Sequence, residues 1–178
     1  LGTIRKEIGM LFQNGALLDS MTVLENVGLP LREHTKQSTE QISQRVTEVL
    51  HAVGLDEVEG LLPRQLSGGM LRRVAFARAI VMEPEILLCD EPFSGLDPVN
   101  QNALEQIVRR QAEAGRTVLF STHVMEHAER LCDQLVLVAK GRKVFDGSVK
   151  QALGEVPRRV TVSAASDHDP SQLLPGVG

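Results

Sequence analysis

The chain lacks tryptophan and tyrosine entirely, and only two of its 178 residues are cysteine. Two cysteines cannot build a disulfide framework, which favours a reducing compartment, and Cys89 lies in an apolar run where we expect it to pack. No apolar run approaches the roughly 18 residues that cross a bilayer. A basic excess is also absent: the net charge is −4, which argues against a nucleic-acid-binding protein. The length and composition fit one globular domain.

The sequence also has no G-x-x-x-x-G-K-[ST] motif, the loop that cradles phosphates in many nucleotide-binding proteins. Other parts of a phosphate site are present. In Leu66–Met70 a Ser-Gly-Gly turn opens a basic and apolar helix, whose free N–H groups and partial positive charge favour an anion. Glycines at this point let a ligand approach the backbone closely. The alternative for the turn alone is that Ser67 only caps the helix.

A second chemical feature is the pair Asp90-Glu91, which follows the wholly apolar run Ile86–Cys89. Such a run predicts a strand in the middle of a parallel sheet. Two carboxylates at its carboxyl end would lie at the edge where open α/β sheets bind their ligands. The pair is therefore a candidate for ligand binding. The alternative is that both are ordinary exposed carboxylates at a strand end.

Apolar spacing and capping residues predict an α/β fold with a mostly parallel sheet. Residues 20–60 have only helical patterns, which predicts a helical segment between the first strand and the rest of the sheet. The chain ends in Ser, Asp, Pro and Gly, where we expect disorder. The predicted strands span residues 6–12, 86–89, 117–121, 134–139, 143–145 and 159–163, and the predicted helices span residues 22–32, 40–53, 67–82, 97–114, 124–131 and 148–153, with a hairpin turn at Gly141-Arg142.

Residues 66–80, L-S-G-G-M-x-R-R-V-A-x-A-R-A-I, resemble the signature loop and helix of the ATP-binding-cassette (ABC) ATPases. Ile86–Glu91 is similar to the Walker B strand of that family, and Ser94–Asp97 is similar to its D-loop. The resemblance implies a P-loop NTPase-like cassette with a mostly parallel sheet and an inserted helical subdomain at about residues 20–85. It also implies that this chain lacks the N-terminal strands and the Walker A loop of the cassette.

The same resemblance implies a role for individual residues. Glu91 would be the general base that polarises the attacking water, and His123 would be the switch histidine that contacts the γ-phosphate. Asp90 would hold Mg²⁺, with Gln13 of the Q-loop as a further Mg²⁺ ligand. ATP and Mg²⁺ are the expected cofactors. The residues expected to bind the nucleotide are Gln13, Ser67, Gly68, Gly69, Met70, Asp90 and Asp97.

Two cassettes of this family pair head to tail, so the resemblance implies a second ABC ATPase subunit and transmembrane permease subunits as partners. The protein would lie peripherally at the cytoplasmic face of the inner (plasma) membrane. Ile8–Leu17 and Pro30–Thr35 look like the ATPases of phospholipid-trafficking systems, so a phospholipid or another hydrophobic compound is the expected substrate. Phe120–Glu129 and Lys140–Gly147 look more like drug- or sodium-type exporters, which stay an alternative. We expect the permease contacts on Asn14–Leu31.

We expect an N-terminally truncated chain, with a partial nucleotide-binding domain at residues 1–155 and a partly disordered extension at residues 156–178. The full-length protein would hydrolyse ATP, whereas this chain alone would bind ATP poorly without a phosphate loop. A soluble ABC ATPase of DNA repair or translation and a catalytically incompetent fragment are alternatives. A zinc hydrolase is another, because His123–His127 matches H-x-x-E-H. In the ABC interpretation His127 is an exposed helix residue.

Overall fold

The computed structural model describes residues 7–155, and the strand and the disorder predicted beyond residue 155 lie outside this range. The chain divides into two compact units, one ending at Leu131 and the other beginning at Cys132. The domain limits expected from the sequence, at residues 20–85 and 155, stay a prediction. Within the described range, none of the helices combines the length and the apolar character that crossing a membrane requires.

Every predicted element between residues 7 and 155 is present, with bounds within three residues of the expected ones. A short 3₁₀ turn at Pro63–Gln65 precedes the Ser-Gly-Gly turn. The first unit contains β1 (Ile8–Leu11), α1 (Val23–His34), α2 (Thr39–Ala52), α3 (Gly68–Ile80), β2 (Ile86–Cys89), α4 (Pro98–Glu113), β3 (Thr117–Phe120) and α5 (Met125–Leu131). The second unit contains β4 (Gln134–Ala139), β5 (Arg142–Ser148) and α6 (Val149–Glu155).

The sheet of the first unit has the strand order β1-β2-β3, and both pairings are parallel. Leu11 pairs with Cys89, which in turn pairs with Phe120. The ladder continues one step beyond the strands, because the N–H of Asp90 donates to the Leu11 carbonyl (2.8 Å) and the N–H of Ser121 donates to the Cys89 carbonyl (2.9 Å). The carboxyl ends of the three strands therefore lie side by side, which confirms the predicted parallel sheet.

Along the chain, helices α1 to α3 come between β1 and β2, where the sequence predicted a helical segment. Thr22 and Ser38 cap α1 and α2, each in a capping box with a residue three positions later, Glu25 and Gln41. A capping box satisfies two N–H groups that a helix end leaves without a partner. The buried faces of the three helices share one core with the strands. This packing fixes the start of α3, where the Ser-Gly-Gly turn lies.

The core between the sheet and the helices is made of large apolar side chains. Phe76 of α3, Leu87 of β2 and Leu104 of α4 are fully buried, and each contributes about 1.5–3 kcal/mol relative to exposure. Cys89 also belongs to this core, as the sequence predicted. Burial raises the pKa of the Cys89 thiol to about 12, so the thiol stays protonated and unreactive at neutral pH.

The second unit consists of the antiparallel pair β4 and β5 with α6 packed against it. The hairpin turn lies at Lys140-Gly141, where φ is 50° and 71°. Two successive positive φ values are typical of a type I′ turn, whose twist suits a two-residue hairpin. The predicted turn at Gly141-Arg142 was therefore wrong by one residue, because Arg142 already pairs with Ala139 in the ladder.

Candidate functional site

One hydroxyl group bonds both residues at the end of β2, the carboxylate of Asp90 and the backbone N–H of Glu91. Ser121 follows β3, and its Oγ donates to Asp90 Oδ1 at 2.7 Å. The same Oγ accepts the backbone N–H of Glu91 at 2.9 Å. Asp90 is exposed, so its other carboxylate oxygen can accept a ligand. The sequence analysis missed Ser121, although a polar residue at the end of a predicted neighbouring strand was the signal that could have identified it.

Glu91 and His123 form the central pair of the site. Nδ1 of His123 lies 2.9 Å from Oε1 of Glu91, and the two side chains are 72% and 21% exposed. The imidazole therefore reaches into solvent while holding a half-buried carboxylate. Glu91 has φ of 45°, a left-handed conformation that costs about 1–3 kcal/mol in a residue other than glycine. Such strain persists where surrounding contacts fix it, and it is common at active sites.

Asp90, Glu91, Ser121 and His123, hereafter the acidic site, suit Mg²⁺ better than Zn²⁺. Within residues 7–155 no three side chains of His, Cys, Asp or Glu gather in a group that could hold a metal ion. Mg²⁺ needs no such cage, because it keeps several waters and binds through one or two carboxylates together with substrate phosphates. Asp90, with one free oxygen at the exposed edge, fits that donor set. Gln13 lies two residues past β1, at the same edge of the sheet.

The zinc-hydrolase alternative does not agree with the structure. Helix α5 begins at Met125, so His123 precedes the helix and does not share a helical face with His127. His123 is paired with Glu91, whereas His127 is buried, with 5% exposure. The expectation that His127 is an exposed helix residue was also wrong. Its ring packs on Phe93, with the ring centroids 4.7 Å apart.

The turn Ser67–Met70, hereafter the signature turn, opens α3 as predicted. The Oγ of Ser67 accepts the Met70 N–H at 3.3 Å, so Ser67 caps the helix. Gly68 is exposed, and nothing lies within 4 Å of the position a Cβ would take there. A ligand could therefore approach the backbone at Gly68. The Met70 side chain packs against the core, which leaves only its backbone available at this end of the helix.

Gly69 has a different reason to be glycine. A Cβ at this position would lie 2.2 Å from Oδ1 of Asn100, near the start of α4. Asn100 is itself held by Asp97, whose Oδ2 accepts its amide at 2.5 Å and whose Oδ1 accepts its backbone N–H at 3.1 Å. These bonds, with the Asn100 side chain contributing most, hold the pKa of the Asp97 carboxyl below its usual range. Gly69 and Asp97, both predicted to bind nucleotide, are thus joined through Asn100, which the sequence analysis missed.

Arg72 of α3 links the segment after β1 to the loop after β2. Its guanidinium donates to the carbonyls of Phe12 (3.3 Å), Gln13 and Ser94 (3.1 Å). Burial lowers the pKa of this guanidinium, which nevertheless stays charged at neutral pH. Beside it lies a cleft of about 380 Å³ whose lining includes Gln13, Gly68 and Ser94. No local pattern distinguishes Arg72 from its neighbour arginine, because its acceptors are 22 to 60 residues away.

The predicted residues therefore fall into two groups. Asp90, Glu91 and His123 lie together at the edge of the sheet, while the signature turn and Asp97 lie together at the starts of α3 and α4. Across residues 7–155, no hydrogen bond or salt bridge connects a residue of one group with a residue of the other. The acidic site can polarise a water beside a bound metal ion, and the signature turn can receive an anion at the positive end of a helix.

The chain is similar to known proteins over most of its length. The profile of the family described as "ABC transporter" matches residues 2–94. The methionine import ATP-binding protein MetN of Haemophilus ducreyi is 43% identical over 148 residues, which cover 83% of this chain and 43% of that protein. MetN 1 of Staphylococcus aureus is 39% identical over 175 residues, covering 96% and 51%. The chain spans about half the length of the curated relatives it matches.

Two solved structures share the fold. The ATP-binding cassette MJ0796, in a dimeric post-hydrolysis state bound to ADP and Pi, has a TM-score of 0.75 and 34% identity, covering 82% of this chain and 65% of that one. The cbiO1 protein of Clostridium perfringens, part of the ABC transporter complex cbiONQ, has a TM-score of 0.73 and 30% identity, covering 85% and 61%. The predicted ABC cassette fold is thereby confirmed. The family profile also matches more than half of this chain, which therefore belongs to the ABC transporter family.

Proposed function

We propose that this chain is part of the ATP-binding and ATP-hydrolysing subunit of an ABC transporter. The observation that carries the proposal is the acidic site at the carboxyl edge of a parallel sheet, in which Ser121 bonds Asp90 and the backbone of Glu91, and His123 pairs with the Glu91 carboxylate. A single water beside the γ-phosphate of ATP can be polarised there and held in position for in-line attack.

Each residue of the acidic site then has one task. Glu91 accepts the proton of the attacking water; Ser121 holds its backbone N–H, and His123 holds its carboxylate. His123 holds Glu91 through Nδ1, which leaves Nε2 free to donate to a phosphate oxygen. Asp90, oriented by Ser121, presents an oxygen to Mg²⁺ or to its water shell. Bound Mg²⁺ supplies charge neutralisation of the β- and γ-phosphates.

The signature turn would serve the nucleotide of a second subunit. Ser67 and Gly68 are exposed at the positive end of α3, and no hydrogen bond in residues 7–155 ties them to the acidic site. An anion-binding helix end that is separate from the hydrolytic residues suits a head-to-tail pair, in which each site takes residues from both subunits. The dimeric post-hydrolysis state of MJ0796 supports this arrangement.

A phosphate loop, in this proposal, comes from protein sequence outside these 178 residues. One face of the sheet of the first unit leaves apolar side chains 36–64% exposed, namely Ile8, Met10, Ile86 and Leu119. A parallel sheet normally has both faces covered by helices. A strand, phosphate loop and helix in the longer protein would cover this face and bring the lysine that holds the β- and γ-phosphates.

The transported compound is proposed from the relatives. The curated relatives are methionine import ATP-binding proteins, so we propose a small organic nutrient such as methionine. The comparisons do not support the phospholipid substrate expected from short sequence matches, and the exporter alternative is not supported by these names either. An importer ATPase of this kind would lie at the cytoplasmic face of the membrane, bound to permease subunits.

The permease contacts are proposed on an apolar cleft of the first unit. This cleft of about 350 Å³ is lined by Phe12, Leu29, Pro30 and Met82 among others. The wider expectation of contacts along Asn14–Leu31 needs correction, because Val23 of that segment is fully buried in the core. The exposed part of the segment and the cleft are what a partner helix could reach.

Phosphate release from ATP tests the proposed function. The full gene product with Mg²⁺-ATP should hydrolyse ATP, and Asp90→Asn should slow it by about 10²-fold or more, because the acidic site loses its metal oxygen. An isothermal titration of the 178-residue chain with Mg²⁺-ATP should reveal no micromolar binding. A full gene product without ATP hydrolysis, or tight binding by the chain alone, would contradict the proposal.

A further inference from the structure

A buried histidine that the proposed mechanism does not use lies behind the acidic site. His127 of α5 is 5% exposed, and the helix that carries it contains only seven residues. An imidazole is an expensive group to bury unless its nitrogen atoms have partners. Its partners therefore indicate what the residue is for.

Three elements meet at the His127 ring. Nδ1 lies 3.4 Å from Thr122 Oγ1, in the segment between β3 and α5. Nε2 lies 4.0 Å from Oε1 of Glu105, a buried carboxylate of α4. The ring face packs on Phe93, with the centroids 4.7 Å apart and the planes tilted by 60°. One side chain thus contacts the segment of His123, the loop after Glu91 and helix α4.

The segment Ser121-Thr122-His123 distributes its side chains between two directions. Ser121 and His123 hydrogen-bond the acidic pair, whereas Thr122 between them contacts His127. The three residues are consecutive, so fixing the side chain of Thr122 restricts where Ser121 and His123 lie. Within its own segment the Oγ1 of Thr122 accepts the backbone N–H of Val124 at 3.1 Å. His127 is the residue of α5 whose side chain contacts the same Oγ1.

The loop after Glu91 is held by the same ring. Phe93 is 1% exposed and packs edge-to-face on Phe120, the last residue of β3, with the centroids 5.6 Å apart. His127 covers Phe93 from α5. The segments that carry Glu91 and His123 therefore pack on one aromatic cluster, so a displacement of one segment should displace the other.

The far side of His127 is rigid as well. Glu105 accepts the guanidinium of Arg130 at 2.6 Å, and the backbone carbonyl of Arg130 accepts Arg109 at 2.5 Å. Arg130 lies on α5, so the Glu105 carboxylate that faces Nε2 is tied to the helix carrying His127. The neutral imidazole can then accept the Thr122 hydroxyl at Nδ1 and present its Nε2–H to Glu105.

We propose that His127 is a positioning residue of the hydrolytic site. Through Thr122 and Phe93 it holds His123 and Glu91 where both can contact the same water. This inference rests on the proposed ATP hydrolysis. A residue that only fills space would be replaced by any apolar side chain of similar volume. A positioning residue needs its Nδ1 contact, because among the polar contacts of the His127 side chain described in residues 7–155 this is the one that reaches Ser121-Thr122-His123.

Three substitutions separate these roles. His127→Asn places an amide where Nδ1 lies, His127→Gln places one nearer Nε2, and His127→Leu keeps only volume. In the full gene product, His127→Leu should lower kcat for ATP by about 10- to 100-fold with KM changed less than about twofold, because small misplacements of reacting groups cost that much. His127→Asn should recover most of kcat, and His127→Gln should not. Thr122→Val should match His127→Leu, and the double variant should lose no more.

A second readout works without catalysis. In the 178-residue chain at fixed pH, the imidazole ¹⁵N resonances of His123 report its bond to Glu91, and they should shift in His127→Leu and return in His127→Asn. Equal kcat for the wild type and His127→Leu, or equal losses for Asn and Gln, would overturn the proposal. If the wild-type gene product hydrolyses no ATP, the proposed function fails. The His123 resonances then still decide the positioning role, with unchanged resonances in His127→Leu refuting it.

Discussion

A methyl group at Gly69 has no room, whereas one at Gly68 has. At Gly69 the added Cβ would lie 2.2 Å from Oδ1 and 2.3 Å from Cγ of Asn100, while at Gly68 nothing lies within 4 Å. Asn100 cannot swing away freely, because its amide donates to Asp97 at 2.5 Å. Gly69→Ala should therefore push Asn100 away from Asp97 and separate the starts of α3 and α4.

The two substitutions should change stability in opposite directions. Gly69→Ala must displace Asn100 by about 1 Å, and overpacking of this kind costs about 1–3 kcal/mol. Alanine in a helix recovers about 0.5–1 kcal/mol of that, so the net loss should be about 1–2 kcal/mol. Gly68→Ala meets no obstacle and should stabilise the chain by about 0.5–1 kcal/mol. For a domain of this size the melting temperature should fall by about 2–8 °C at Gly69 and rise by about 1–4 °C at Gly68.

A double-mutant cycle isolates the cause. Urea and thermal unfolding of the 178-residue chain should be measured for Gly69→Ala, Asn100→Ala and the combination. Asn100→Ala removes the three atoms that obstruct the new methyl group, so Gly69→Ala on that background should be neutral or stabilising. If Gly69→Ala destabilises both backgrounds equally, or if it is as stable as Gly68→Ala, the reasoning from Asn100 is refuted.

Two further predictions concern the loops of the site. Arg72→Ala removes three hydrogen bonds from a charged group and should lower the free energy of unfolding in urea by about 1–3 kcal/mol. The control Arg64→Ala, at an exposed position, should change that free energy by less than about 0.5 kcal/mol. Equal effects of the two substitutions would contradict the link between the two loops. Asn100 holds the pKa of the Asp97 carboxyl below its usual range, so this cap stabilises the fold above about pH 4 and loses that effect as the pH falls. Asp97→Asn should flatten the pH dependence of unfolding below about pH 4, and an unchanged acid limb would contradict it.

Local signals predicted the elements that local physics determines. The apolar run Ile86–Cys89 ends in two carboxylates, and both its bounds and its place between parallel neighbours agree with the structure. Ser67 was considered as a helix cap because of its residue type, and it caps the helix that follows it. Capping depends on residues within one turn, so the sequence carries that information directly.

Contacts between distant residues left no such trace. Ser121 touches Asp90 across 31 positions, and Arg72 reaches Ser94 across 22. The burial of His127 depends on its packing against Phe93 and on the start of α5 at Met125, one residue later than the sequence predicted. A periodic pattern cannot reveal which neighbour covers a short helix.

The hairpin and the substrate were missed for different reasons. Lys140 adopts a positive φ that its residue type does not announce, so the glycine beside it was taken as the first residue of the turn. The phospholipid expectation came from short stretches, whereas matches over 148 and 175 residues are to methionine import proteins. Short motifs identified the family correctly, whereas the longer matches do not support the transported compound that they indicated.

The central claim is that Glu91 activates the water that attacks ATP, and its most direct test is Glu91→Gln in the full gene product. The substitution keeps the size and the hydrogen bond to His123 but removes the proton acceptor. We expect kcat for ATP hydrolysis to fall by about 10²- to 10⁴-fold while Mg²⁺-ATP still binds with an affinity within about threefold of the wild type. Hydrolysis at the wild-type rate by Glu91→Gln would contradict the account.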